Sequence, residues 1–176
     1  SRGLVGSEMC IRDRVSTMHY QKADYDKLIQ QYAEHKFTKN DIKSFVYRVF
    51  SMYERATVGK VRVPAEAFAD LVDANIQVDF PDYKIHSRQE FMEWHHWIHD
   101  LLLSDDHDIE SIEVSYLGEG KYAAEFDVRW RGDFKDGSFT DVTVAQRWVM
   151  YESEQFDHPV IENYVAVVKS NNLISG

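Results

Sequence analysis

The chain has 176 residues, 44% of them hydrophobic and 28% charged, with a formal net charge of -10. That is one ordinary domain, acidic enough to disfavour nucleic acid or an anionic membrane as a partner. The lone cysteine, Cys10, excludes an internal disulfide framework and a cysteine-rich zinc site, and no apolar run approaches the ~20 residues of a membrane span.

Residues 1–17 read SRGLVGSEMCIRDRVST and sustain neither a helical nor a strand period. The string LVGSEMCIRDR resembles translated adapter read-through from an environmental gene assembly. That resemblance implies a metagenomic source, a start at Met18 and a disordered, non-native leader; an ordinary frayed terminus is the alternative. A helical extension is then expected over 18–39, a single domain over 40–169 and a tail over 170–176.

Tyr25, Leu28, Ile29 and Tyr32 form a helical stripe within 23–35. Thr38 or Asn40 can cap a second helix running to about Val58, with Ile42, Phe45, Val46, Val49, Phe50 and Tyr53 as its core stripe. Pro64 suits the first turn of a third helix, 65–73. Residues 76–80 alternate with period two and predict a strand, turned by Pro81 and Asp82. Ser87 and Glu90 make a capping box for a helix over 88–103, whose buried arc is Phe91, Trp94, Ile98, Leu101 and Leu102. From Ile109 the period becomes two, predicting strands at 109–118, 121–132, 139–152 and 159–169, with hairpin turns at Gly118-Glu119-Gly120 and Asp136-Gly137. The predicted class is α+β, with N-terminal helices packed on a curved antiparallel sheet.

This order and its local strings resemble the NTF2-like, or SnoaL-like, cone fold. FADLVDANIQVDFP resembles that family's helix, acidic turn and first strand; SRQEFMEWHHWIHDLL resembles its following helix. HDIESIEVSYLGEGKYAAEFDVRWRG resembles its first long hairpin and PVIENYVAVV its last strand. The resemblance leaves function open, because the family spans isomerases, dehydratases, hydrolases and non-catalytic binding modules. A ketosteroid-isomerase-type base would fall on Phe80, and an epoxide-hydrolase-type Arg/Asp set on Phe126, Val128 and Val165, none of which can move a proton.

The dehydratase type, of the scytalone and bile-acid kind, is closest in motif. Tyr53 and Glu54 stand where it has a Tyr and an acid, and His107, Ile109, Ile112 and Val114 match its pattern opening the first long strand. The resemblance thus implies catalysis by His107, Glu54 and Tyr53. His107 would be general acid/base, Glu54 its orienter and Tyr53 a donor to the substrate oxygen. His107 lies in the run Asp105-Asp106-His107-Asp108, a pattern most often found as a solvated acidic loop.

Further pocket candidates are His95, Phe80, Phe126, Trp130, Gln146, Trp148 and Asn163. A helical wheel puts His95 on the border of the buried arc and His96 towards solvent. His95 and His99 have a spacing that permits chelation, but HExxH and a third ligand are absent, so no metal site is expected. In one register Val142, Val144, Gln146, Trp148 and Met150 share a face, and Ile161, Asn163, Val165 and Val167 share another.

The expected function is cofactor-free dehydration or isomerisation of a small, largely apolar hydroxy- or keto-compound. The alternative is a non-catalytic ligand-binding or dimerisation module. A small-molecule ligand, a homodimer and a cytoplasmic location are expected, with neither nucleic acid nor membrane as partner.

Overall fold

The computed structural model describes residues 8–173, with side chains from residue 21 onward. The chain divides into two compact units, Ser1–Thr38 and Lys39–Gly176. The first carries α1, Glu8–Glu34. Helical backbone therefore reaches back to Glu8, well before the stripe that begins near Tyr25; residues 1–7 of the expected leader lie outside the described residues.

In the second unit α2, Lys39–Thr57, buries the stripe its spacing predicts: Ile42, Phe45, Val46, Val49, Phe50 and Tyr53. The segment after Pro64 is a 3₁₀ turn, Ala65–Leu71, shorter than the predicted helix, and β1 follows without a break at Val72–Phe80. Leu71, Val72, Ile76 and Val78 are all buried, so β1 starts four residues before its alternation becomes regular. Tyr83–Ile85 forms a short edge strand, β2, which three residues of sequence could not signal.

Helix α3, Arg88–Leu101, is capped as its sequence predicts: the Ser87 hydroxyl accepts from Glu90 N at 3.1 Å. The Glu90 carboxylate reaches back one residue further than a standard box, to His86 N at 3.0 Å. β3 then runs Leu102–Gly118, β4 Lys121–Phe134, β5 Phe139–Tyr151 and β6 Val160–Asn171. The acidic run at 104–108 is thus strand rather than loop. Alternation explains how it can be: Asp106 points out to Arg131 at 2.7 Å, while the Asp105 and His107 side chains turn in. β6 extends through Asn171, so the expected tail shrinks to 172 onward.

The six strands lie in the order β2-β1-β6-β5-β4-β3. All neighbours are antiparallel except β1 and β6, which pair in parallel. Two register shifts interrupt the β5–β6 ladder. The one between Val149 and Met150, which face Asn163 and Ile161, leaves Glu162 as an extra residue and exchanges the faces of β6. Ile161 stays buried, but after the shift Tyr164 and Ala166 face inward while Val167 is exposed. The expected Asn163–Val165–Val167 face is therefore the outer one. A one-residue slip moves every later side chain to the opposite face.

Candidate active site

Helices α2 and α3 lie over one face of the curved sheet and leave a cavity of about 350 Å³ between them. Rings from every side line it: Phe50 and Tyr53 of α2, Phe80 of β1, Tyr83 of β2, Trp94 and Trp97 of α3, Trp130 of β4 and Tyr164 of β6. Val128, Val142, Val144 and Ala166 floor it. Such walls favour an apolar or aromatic guest over a charged one.

Polar groups gather where α2 meets β3. The Glu54 carboxylate accepts from the backbone N–H of His107 at 2.6 Å, and the same oxygen lies 3.2 Å from His107 Nδ1. On the other side of the ring, Asp105 Oδ2 lies 3.6 Å from His107 Nε2. The imidazole is thus held between two carboxylates, with 9% of its side chain exposed and 3% of Asp105's. It also packs 4.8 Å from the Phe50 ring. Burial raises the Asp105 pKa, with His107 and His99 pulling it back down.

Tyr53 Oη is buried with no hydrogen-bond partner in direct geometry. Burial, then the nearby Tyr164 hydroxyl, pushes its pKa well up, so it stays a neutral phenol. Tyr164 is raised as well, again by burial. Gln146 Oε1 accepts from Trp148 Nε1 at 3.0 Å, which fixes the amide at the cavity wall.

The fold has many relatives among solved structures. A proposed scytalone dehydratase from Novosphingobium aromaticivorans superposes with a TM-score of 0.65 at 10% identity, covering 74% of this chain and 83% of that one. A nuclear transport factor 2 (NTF2-like) superfamily protein from Salmonella enterica gives 0.64 at 10% identity, over 77% and 94%. The Lys39–Gly176 unit has the NTF2-like fold. The β subunit of benzoate 1,2-dioxygenase from Burkholderia mallei shares it too, with a TM-score of 0.60 at 17% identity over 77% of this chain and 93% of that one. No family model and no curated protein matches the sequence.

Within this NTF2-like unit, the sequence candidates fall into three groups. His107, Tyr53, Phe80, Trp130 and Gln146 border the cavity, and Glu54 stands behind His107. Phe126 and Trp148 do not line it: both are buried against Phe50 in the packed core, Phe126 edge-on and Trp148 stacked. Asn163 is on the outer side of the bulge in β6, away from the cavity lining. His95 is also absent from that lining; it is packed against Phe68 and His99, with ring centroids 4.1 Å away in each case. The wheel angles order the α3 histidines correctly, because His95 is 2% exposed and His96 faces solvent.

Sequence reasoning missed Asp105, His99, Trp94, Trp97 and Tyr164 as cavity residues. For Asp105 a signal existed, since it sits two residues before His107 and a strand puts i and i+2 on one face. Tyr164 was hidden by the bulge. Among the described residues no group of three or more His, Cys, Asp or Glu is placed to hold a metal ion.

Burial, helped by His99 and His96, lowers the pKa of His95 from 6.5 to about 3. The unfolded chain takes up this proton near the ordinary value, whereas the folded chain resists it. His95 therefore leaves stability intact above about pH 6.5 and removes it as the pH falls towards 3, at up to about 1.4 kcal/mol per pH unit. Chemical denaturation from pH 7 to pH 4 should show that slope, and His95→Gln should flatten it. A wild-type profile with no decline below pH 6.5 would contradict a neutral, buried His95.

Proposed function

We propose that the protein is a cofactor-free lyase or isomerase acting on a small, apolar hydroxy- or keto-compound, with His107 as the general acid/base. The observation that carries this reading is the Glu54–His107–Asp105 contact at the polar end of an otherwise ring-lined cavity. Glu54 fixes the ring through both its Nδ1 and its backbone N–H. The Nε2 side, shared with Asp105, is left to the cavity.

In a dehydration, His107 accepts the proton from the carbon next to the substrate carbonyl. That carbon's electron pair forms the new double bond as the neighbouring C–O bond breaks, and the departing hydroxyl takes the proton back from the His107 imidazolium and leaves as water. Asp105 stabilises the imidazolium formed on the way. The Tyr53 phenol, neutral and beside the Tyr164 hydroxyl, donates to the substrate oxygen. An isomerisation uses the same proton transfers without the C–O cleavage.

The solved structure described as a proposed scytalone dehydratase supports a dehydratase of this kind through shared fold alone. The dioxygenase β subunit supports a second reading, a binding or dimerisation module. Leu103, Leu117, Phe139, Val167 and Val168 are exposed strand residues that a second copy could cover in a homodimer. No helix among the described residues is long and apolar enough to cross a membrane, and we place the protein in the cytoplasm as part of the same proposal.

The test is a panel of aromatic and alicyclic β-hydroxy ketones, followed by absorbance of the conjugated product and by solvent-deuterium uptake at the α-carbon. The lyase/isomerase reading expects one or the other to appear. Saturable binding of the panel with neither signal would favour the binding module.

A further inference from the structure

A second cavity, of about 330 Å³, borders the last turn of α3 and has the opposite character to the first. Arg62, Lys135, His95, His96 and His99 line it, with Asp100 as the lone carboxylate. In a chain with 30 acidic and 20 basic residues, that is a local inversion of charge. It shares His99 and Leu102 with the ring-lined cavity but none of the Glu54–His107–Asp105 group.

Three separate elements bring these groups together. Arg62 lies on the connection after α2, which is tied back by Val63 N donating to Arg55 O at 3.0 Å. Lys135 lies on the β4–β5 turn, tied to α3 by its own N–H donating to Leu101 O at 2.9 Å. The histidines and Asp100 come from α3 itself.

Neither cation forms an ion pair among the described residues, so both charges remain available to a ligand. Asp100 makes no direct ion pair with Arg62 or Lys135. His95 adds a buried Nδ1 with no hydrogen-bond partner, a group that costs stability until something satisfies it. The negative end of the α3 dipole would oppose an anion here. Two of its last carbonyls are already occupied, however: His95 O by His99 Nδ1 at 2.8 Å, and Leu101 O by Lys135 N.

We infer that this second cavity binds a small oxyanion, a phosphate or carboxylate, either free or as the anionic arm of a larger ligand. Arg62 supplies a planar fork of donors and Lys135 a mobile charge, the pair of side chains best suited to such a group. The site does not depend on the lyase reading.

The test titrates inorganic phosphate, acetate and phenyl phosphate into the full chain by calorimetry, with ionic strength matched by sodium chloride. Saturable one-site binding of at least one oxyanion is expected, with shifts in the ring signals of His95, His96 and His99. The Arg62→Gln/Lys135→Gln double variant should weaken it roughly ten- to a hundredfold, the worth of one charged hydrogen bond. Arg48→Gln, exposed on α2, should leave it unchanged. Phenyl phosphate binding more tightly than phosphate would identify the arm of a larger ligand; equal affinity would identify the free ion. Since both altered side chains are exposed, the double variant should fold, and an unchanged far-UV spectrum checks this. Heat no greater than that of chloride alone, or equal affinity in the folded double variant, would overturn the inference. Neither result touches the lyase reading, because no turnover is measured.

Discussion

His107→Ala is expected to lower turnover by about 10²–10⁴-fold, the usual worth of a positioned acid/base. The same substitution should also cost stability. The ring is nearly enclosed and packs at a tilt against Phe50, and its loss takes a partner from Glu54 and Asp105. A residue at a strand entrance in an acidic run would be expected to bury little, so here the tertiary structure changes the expectation. Because one variant then mixes two effects, Glu54→Gln is the sharper companion. Its amide oxygen can still accept from the His107 backbone, but it no longer faces Nδ1 with a charge. It should lower kcat more than it raises KM, and it should alter the pH–rate profile while leaving the melting temperature nearly unchanged. If both variants turn over at the wild-type rate, His107 is a structural residue and the dehydratase-like reading fails.

Trp148→Ala should be the most destabilising single change, at about 3–5 kcal/mol. The indole is 0% exposed. Its neighbours are Phe50 and Phe126, each 5.4 Å away between ring centroids, and Tyr164 at 4.7 Å. Truncation leaves a void among these rings and strips Gln146 Oε1 of its partner. Tyr164 and Gln146 line the ring-walled cavity, so ligand binding there should weaken with stability. Trp148→Phe keeps most of the apolar volume and loses mainly the hydrogen bond, so it should cost much less. Urea denaturation measures both; a loss below about 1 kcal/mol for the alanine variant would mean that the rings close over the gap.

The sequence by itself determined α2, α3 and the long strands in chain order, because each rests on local periodicity, but not β2 or the opening of β3. The stripe Ile42–Tyr53 has the 3.6-residue spacing of a buried helix face, and Ser87 with Glu90 marks a helix start. The hairpin turn is equally local: Glu119 and Gly120 both adopt the positive φ that a tight turn demands. His107 and Glu54, 53 residues apart, came together only through a family resemblance, since nothing in their own spacing requires contact.

Tertiary structure alone decided which residues face the cavity. The extra residue at Glu162 turned Asn163 out and Tyr164 in, and no local pattern announces a bulge that its partner strand imposes. Phe126 and Trp148 are as apolar as Phe80 and Trp130, yet two are packed core and two are wall. Composition cannot separate them, because close packing and lining a cavity both select large rings. The acidic run from Asp105 read as solvated charge for a similar reason. Its alternating side chains divide between solvent and interior only once β4 pairs with β3 and α2 covers the inner face. Pairing and covering are contacts between residues distant in the chain, and they are what turned a local string of carboxylates into one outer ion pair and one buried acid beside a histidine.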